Sequence, residues 1–159
     1  MPNWCVNTVE FYADAEKISV IQNFFQEMSK METRTMHGQL PSFVNEQRGW
    51  LFEIDMEDEI LHYQTKWAPN LSVIKQVADH FKCGFHYTYD EPGMQLFGEI
   101  SYREGVLKAC WMENTDYDLF EMDEENLTYT FEGKVYESEY DIFEIILERK
   151  EEVVIDENF

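Results

Sequence analysis

What this chain lacks narrows its function first. Cations are scarce: 12 Lys and Arg stand against 33 Asp and Glu, a formal net charge of -21 on 159 residues. A duplex-binding protein neutralises phosphates with a basic face, so direct nucleic-acid binding is excluded. The one stretch poor in acids, residues 31–48 with Arg34, His37 and Arg48, is too small for such a footprint. No apolar run approaches the ~20 residues of a membrane span, and Met1 is followed by no basic-then-apolar leader. The three cysteines, Cys5, Cys83 and Cys110, are odd in number and widely spaced, and read as buried reduced thiols of a cytoplasmic protein.

Familiar chemistry is missing as well. The histidines His37, His62, His80 and His86 show no ligand spacing, although His62 and His86 would pair if their strands were neighbours. There is no P-loop, Gly-rich dinucleotide turn or Gly-x-Ser-x-Gly elbow. Asp116-x-Asp118 suggests a calcium loop, but Phe120 and Glu121 stand where a ligand and a glycine are needed. Neither a metal nor a cofactor is expected. Carboxylates are so abundant that close pairs arise by chance, so the sequence points away from an enzyme.

What is present is an acidic pole. A small domain disperses with a net charge of roughly 2–8 in magnitude, so this excess calls for a reason. Residues 113–159 hold 17 of the acids and only Lys134, Arg149 and Lys150 as cations. Disorder would need low hydrophobicity too. Tyr117, Phe120, Tyr129, Phe131, Tyr136, Tyr140, Phe143, Ile145, Ile146 and Leu147 are interleaved instead, which predicts a folded element with a fringe at Glu157 to Phe159.

Residues 4–12, rich in β-branched and aromatic types, predict a strand. Asp14 then caps a helix over about 15–30 with Ile18, Ile21, Phe25 and Met28 on one face. Two strands at 49–56 and 60–66, a helix at 71–82 with Gly84 following its end, and a strand at 85–90 follow. This β-α-β-β-α-β order is the split βαβ pattern of ferredoxin-like α+β folds, an antiparallel sheet with both helices on one face. Strands at 94–102 and 106–112 extend the sheet. A hairpin around Gly133, a helix at 139–149 capped by Ser138 and Asp141, and a short strand at 153–155 complete the chain. The expected division is a domain at 1–112 and an acidic extension at 113–159 packed on it.

Three separated motifs resemble the YubB family of plasmid- and phage-borne proteins with a ferredoxin-like domain. They are Met1-Pro2-Asn3-Trp4-Cys5-Val6-Asn7, Thr65-Lys66-Trp67-Ala68-Pro69, and Glu91-Pro92-Gly93-Met94 followed by Phe97 and Gly98. The resemblance covers about residues 1–105 and implies a fold and a mobile-element setting in a bacterial host, but no reaction.

Two functional readings follow. On the predicted terminal helix Asp141, Glu144 and Glu148 fall at i, i+3 and i+7, a repulsive arrangement that a plain solvated face would relieve with Lys. With Asp116, Asp118, Glu121, Asp123, Glu124 and Glu125 they form a surface of phosphate-like charge. This predicts a non-enzymatic decoy that occupies a basic, nucleic-acid-binding surface of a host or phage protein, as an anti-defence factor would. The alternative is a small-molecule or peptide binder, with or without catalysis, whose pocket gathers Asn3, Trp4, Trp67 and Glu91 at one sheet end. A purely structural role would instead bury Trp4 as core filler, with Asn7 as a hydrogen-bonding group at the strand end.

Overall fold

Side chains two apart share a face of a strand. Along β1 (Trp4–Tyr12) this sends Cys5, Asn7, Val9 and Phe11 inward and leaves Trp4 and Val6 exposed. The computed structural model, which describes residues 1–156, continues with α1 (Ala15–Thr35), capped by Asp14 on the Lys17 N–H at 2.8 Å. The fringe expected at 157–159 lies outside the described residues.

The stripe Ile21, Phe25 and Met28 anchors α1, but the helix runs a turn further than its apolar period. A tertiary contact explains the extension. Glu32 accepts the backbone N–H groups of Glu53 and Ile54 at 2.6 and 3.0 Å, at a bulge in β2 (Phe52–Glu57) where Glu53 has φ 50°. The bulge frees two donors on an edge strand, and the helix end satisfies them.

β3 (Ile60–Lys66), α2 (Leu71–Phe81) and β4 (Gly84–Glu91) follow. Gly84 follows the end of α2 as expected, but it does not supply the left-handed residue. Lys82 takes the left-handed position at φ 54°, and Gly84 opens β4 because a Cβ there would lie 2.5 Å from the Tyr102 carbonyl oxygen. β5 (Leu96–Arg103) and β6 (Val106–Trp111) join through Glu104 and Gly105, whose φ values of 51° and 79° suit a tight hairpin turn. With β10 (Val153–Ile155) these strands make one antiparallel sheet in the order β10-β6-β5-β4-β1-β3-β2. Ile21 and Phe25 of α1 and Ile74 and Val77 of α2 share a single core with Val9, Phe11, Tyr87 and Ile100, so both helices cover the same sheet face.

Between β6 and β10 the chain builds a second layer. A 3-10 turn (Asn114–Leu119) leads to β7 (Phe120–Asp123), β8 (Thr128–Phe131) and β9 (Lys134–Tyr136), a separate three-stranded sheet, and then α3 (Glu139–Arg149). Two strands were expected here. The third, β7, reads Phe-Glu-Met-Asp, and its acids mask its strand character. Ser138 caps α3 through the Tyr140 N–H at 3.2 Å. The helix lays Ile142, Phe143, Ile146 and Leu147 on Phe97, Cys110 and Met112. Those sheet residues alternate with Ile100, Tyr102, Leu107 and Ala109, which face the other core, so α3 lies on the face opposite α1 and α2.

Candidate functional site

The motif residues meet at one end of the large sheet. The Asn3 carbonyl accepts the Trp67 N–H at 2.8 Å. Glu91 is buried and accepts the N–H groups of Gly93 and Met94 at 2.9 and 2.8 Å, capping a 3-10 turn. A Cβ on Gly93 would lie 2.7 Å from the Asn3 amide nitrogen and 2.8 Å from a Glu91 carboxylate oxygen, which makes glycine the residue that fits. Trp4 is not core filler. It is 38% exposed on the face away from α1 and α2, edge-on to Phe52 at 5.2 Å with the Lys66 ammonium 5.9 Å from its ring. Trp67 holds φ 72°, uncommon for a bulky residue, and is half exposed. Asn3 is thus joined to the Trp67 backbone, and Asn3 and Glu91 both flank Gly93, while Trp4 turns away from them.

Behind this end lies a buried polar network that links four elements. Asn7 donates to Thr65 Oγ1 at 2.9 Å and accepts from the Tyr87 hydroxyl at 2.7 Å. Asn70, at the start of α2, accepts from the Tyr63 hydroxyl at 2.6 Å and donates to the Gly49 carbonyl at 2.9 Å. Burial raises the pKa of both tyrosines, so these hydroxyls act as fixed donors. Burial likewise pushes the Cys5 thiol up to about 12. Cys83, only half-buried, is pushed up to about 11 for the same reason. All three cysteines are free thiols.

The predicted acidic surface separates into two parts and loses one member. Asp116 is buried: it accepts the Glu113 N–H at 2.7 Å and pairs with Lys150 at 2.7 Å, whose pKa this contact raises. It braces the fold and leaves the exposed set. Asp123 spends its oxygens on the turn that follows, accepting from Glu125, Asn126 and the Asn126 amide at 2.8–3.2 Å. Asp118, Glu121, Glu124 and Glu125 stand exposed around β7. Asp141, Glu144 and Glu148 stand exposed on α3. Among the described residues none of these seven is paired with a cation.

Glu144 and Glu148 border a cavity of about 360 Å³ between α3 and the sheet, together with Glu99, Glu152 and Lys150. Glu99 and Glu152 escaped the sequence reading because only tertiary packing sets them beside α3. At the other end of the helix the Tyr140 hydroxyl donates to Asp90 at 2.6 Å, and burial raises the Asp90 pKa. Burial also pushes the Tyr117 hydroxyl up to about 12, with help from Asp90.

His62 and His86 do not pair, because β1 runs between their strands. His62 contacts Thr8 at 3.2 Å, and His86 lies 3.4 Å from Glu99. Among the described residues no group of three or more His, Cys, Asp and Glu is placed to hold a metal ion. No helix among the described residues is long and apolar enough to cross a membrane.

No curated protein and no solved structure matches the chain significantly. A family model does, over residues 49–132, which run from the loop before β2 through β8 and make up more than half of the chain. The matched region holds the β2–β3 hairpin at the sheet edge, α2, β4 to β6 and the first strands of the second layer. By that match the chain belongs to the family described as the ferredoxin-like domain in Api92-like protein.

Proposed function

We propose that the protein is a non-enzymatic acidic binding protein that occupies a basic, nucleic-acid-binding surface on another protein. The observation that carries this reading is the line of carboxylates beside α3. Glu99, Glu144, Glu148 and Glu152 border one groove, with Asp141 further along the helix, while Lys150 and Arg149 are each engaged by another carboxylate. Lys150 is held by Asp116, and Arg149 is held by Glu132 through two contacts at 2.6 and 3.0 Å. The surface is left negative over a length comparable with a few nucleotides, since an 11-residue helix spans about 16 Å.

The finer fold reading belongs here as well. β1 to β4 with α1 and α2 form a split βαβ core, and residues 113–159 an acidic extension upon it. The YubB-like motifs favour a plasmid or phage origin, a bacterial cytoplasm as the site of action, and a host defence or DNA-binding protein as the target.

Charge attraction between exposed surfaces is screened over about 8 Å at physiological salt, so such binding weakens steeply as salt rises. The test is capture of host-lysate proteins on the immobilised chain at low and high salt, followed by elution with duplex DNA. Basic proteins released by both salt and DNA are expected, together with their loss in Asp141→Lys/Glu144→Lys/Glu148→Lys. Lysine is a good helix former, so far-UV circular dichroism should be unchanged. Capture that resists salt and DNA, or that survives in the folded triple variant, overturns the proposal.

A further inference from the structure

The acid-poor stretch 31–48 ends beside a cavity of about 400 Å³ that takes no part in the acidic groove. Its walls include Arg48, Gly49, Lys66, Asn70 and Ser72, with Ala68 and Pro69 between the two sides. Of the 12 Lys and Arg of this chain, Lys30, Lys75, Arg149 and Lys150 each hold a carboxylate. Among the described residues Arg48 holds none. Lys66 rests only against rings, 5.9 Å from Trp4 and 5.0 Å from Phe52.

One carboxylate does reach the cavity, and it is engaged. Glu46 accepts from the Ser72 hydroxyl and, at 3.4 Å, from the Gln76 amide. The floor is firm, because Asn70 is fixed by Tyr63, Tyr87 and Gly49. The volume falls within the roughly 300–1,000 Å³ of small-ligand sites. A guanidinium grips phosphate or carboxylate oxygens through paired N–H groups, and an ammonium adds a point charge.

We propose that this cavity binds a small organic oxyanion, a phosphate ester or a carboxylate, held by Arg48 and Lys66. The site is independent of the acidic groove and stands or falls without it. Solvent-exposed cations can be changed without disturbing a core, so Arg48→Ala/Lys66→Ala should melt as the parent does.

The test titrates the full chain with AMP, inorganic phosphate, succinate and adenosine, using calorimetry and amide NMR. Binding of an oxyanion that shifts the Gly49, Asn70 and Ser72 amides is expected, with affinity falling about tenfold or more in the double variant. AMP and phosphate binding without succinate assigns a phosphate ester, and the reverse assigns a carboxylate. Glu46→Gln keeps an acceptor but removes the negative charge, and should tighten binding. Adenosine binding as well as AMP, unchanged affinity in the double variant, weaker binding in Glu46→Gln, or silence toward all the oxyanions at millimolar concentration overturns the site.

Discussion

The two faces of the large sheet are covered by helices in contrasting ways. On one, α1 and α2 close a broad apolar core threaded by the Asn7, Thr65, Asn70, Tyr63 and Tyr87 network. On the other, α3 rests on a smaller cluster around Phe97, Cys110 and Met112 and turns carboxylates outward. Apolar burial, at about 1.5–3 kcal/mol for a large side chain, is enough to hold the first layer whatever the charge. The second layer must also withstand its own repulsion. It does so with a few particular contacts: Lys150 on Asp116, Arg149 on Glu132, and the Tyr140 hydroxyl on Asp90. Each engages a charge or a donor within the layer, and together they leave the outer acids unneutralised.

The largest expected effect tests the first layer. Phe85 has no exposed surface, and Phe85→Ala should lower stability by about 3–5 kcal/mol in urea unfolding. Phe143→Ala empties a site in the smaller cluster and should cost less. Equal losses would erase the contrast between the layers.

Next comes the brace of the second layer. Lys150→Met leaves the buried Asp116 carboxylate with the Glu113 N–H as its remaining partner, for a loss of about 1–3 kcal/mol. Added salt should recover part of that loss, because screening relieves the crowded carboxylates. A loss that salt deepens would show that repulsion is not what the brace resists.

The smallest effect is a pH dependence. The contact with Glu99 raises the His86 pKa above the ordinary value of 6.5, against the opposing effect of burial, with Glu10 adding to the rise and Arg103 reducing it. A raised cationic pKa stabilises the fold fully below the unfolded value and ceases to do so as pH climbs through the folded one. Both side chains are more than a third exposed or close to it, so the contribution is modest. Wild type should melt about 1–2 °C above His86→Asn at pH 5.5, with the gap closing by pH 8.5. A gap that widens with pH would refute the assignment.

Much of the fold could be read from the chain because its cues are local. The alternation in residues 4–12, the Asp14 and Ser138 caps, and the Gly105 and Gly133 turns each lie within a few residues of the element they define. What the sequence hid is set at a distance. Alternation separates Trp4 and Val6 from Cys5 and Asn7, yet does not say which set is buried. Asn7 goes inward because Thr65 and Tyr87, 58 and 80 residues away, arrive to satisfy it. Trp4 is left outside with Phe52 and Lys66. The candidate sites follow the same rule. The acids of α3 were visible by their spacing, whereas Glu99 and Glu152 beside them, Asp116 beneath Lys150, and the Arg48–Lys66 pairing about one cavity depend on how the layers stack.

β10 carries one more consequence. The chain leaves the large sheet at the end of β6 and returns to lie against that same strand, Val153 opposite Ala109 and Ile155 opposite Leu107. The acidic layer is therefore a span clamped at both ends to one support. Under a force applied to the C-terminus, the three residues of β10 take the load before α3 does, and they peel from β6 one pair at a time. Once that short zipper has opened, the helix is restrained by its side-chain packing and by the contacts of Tyr140, Arg149 and Lys150.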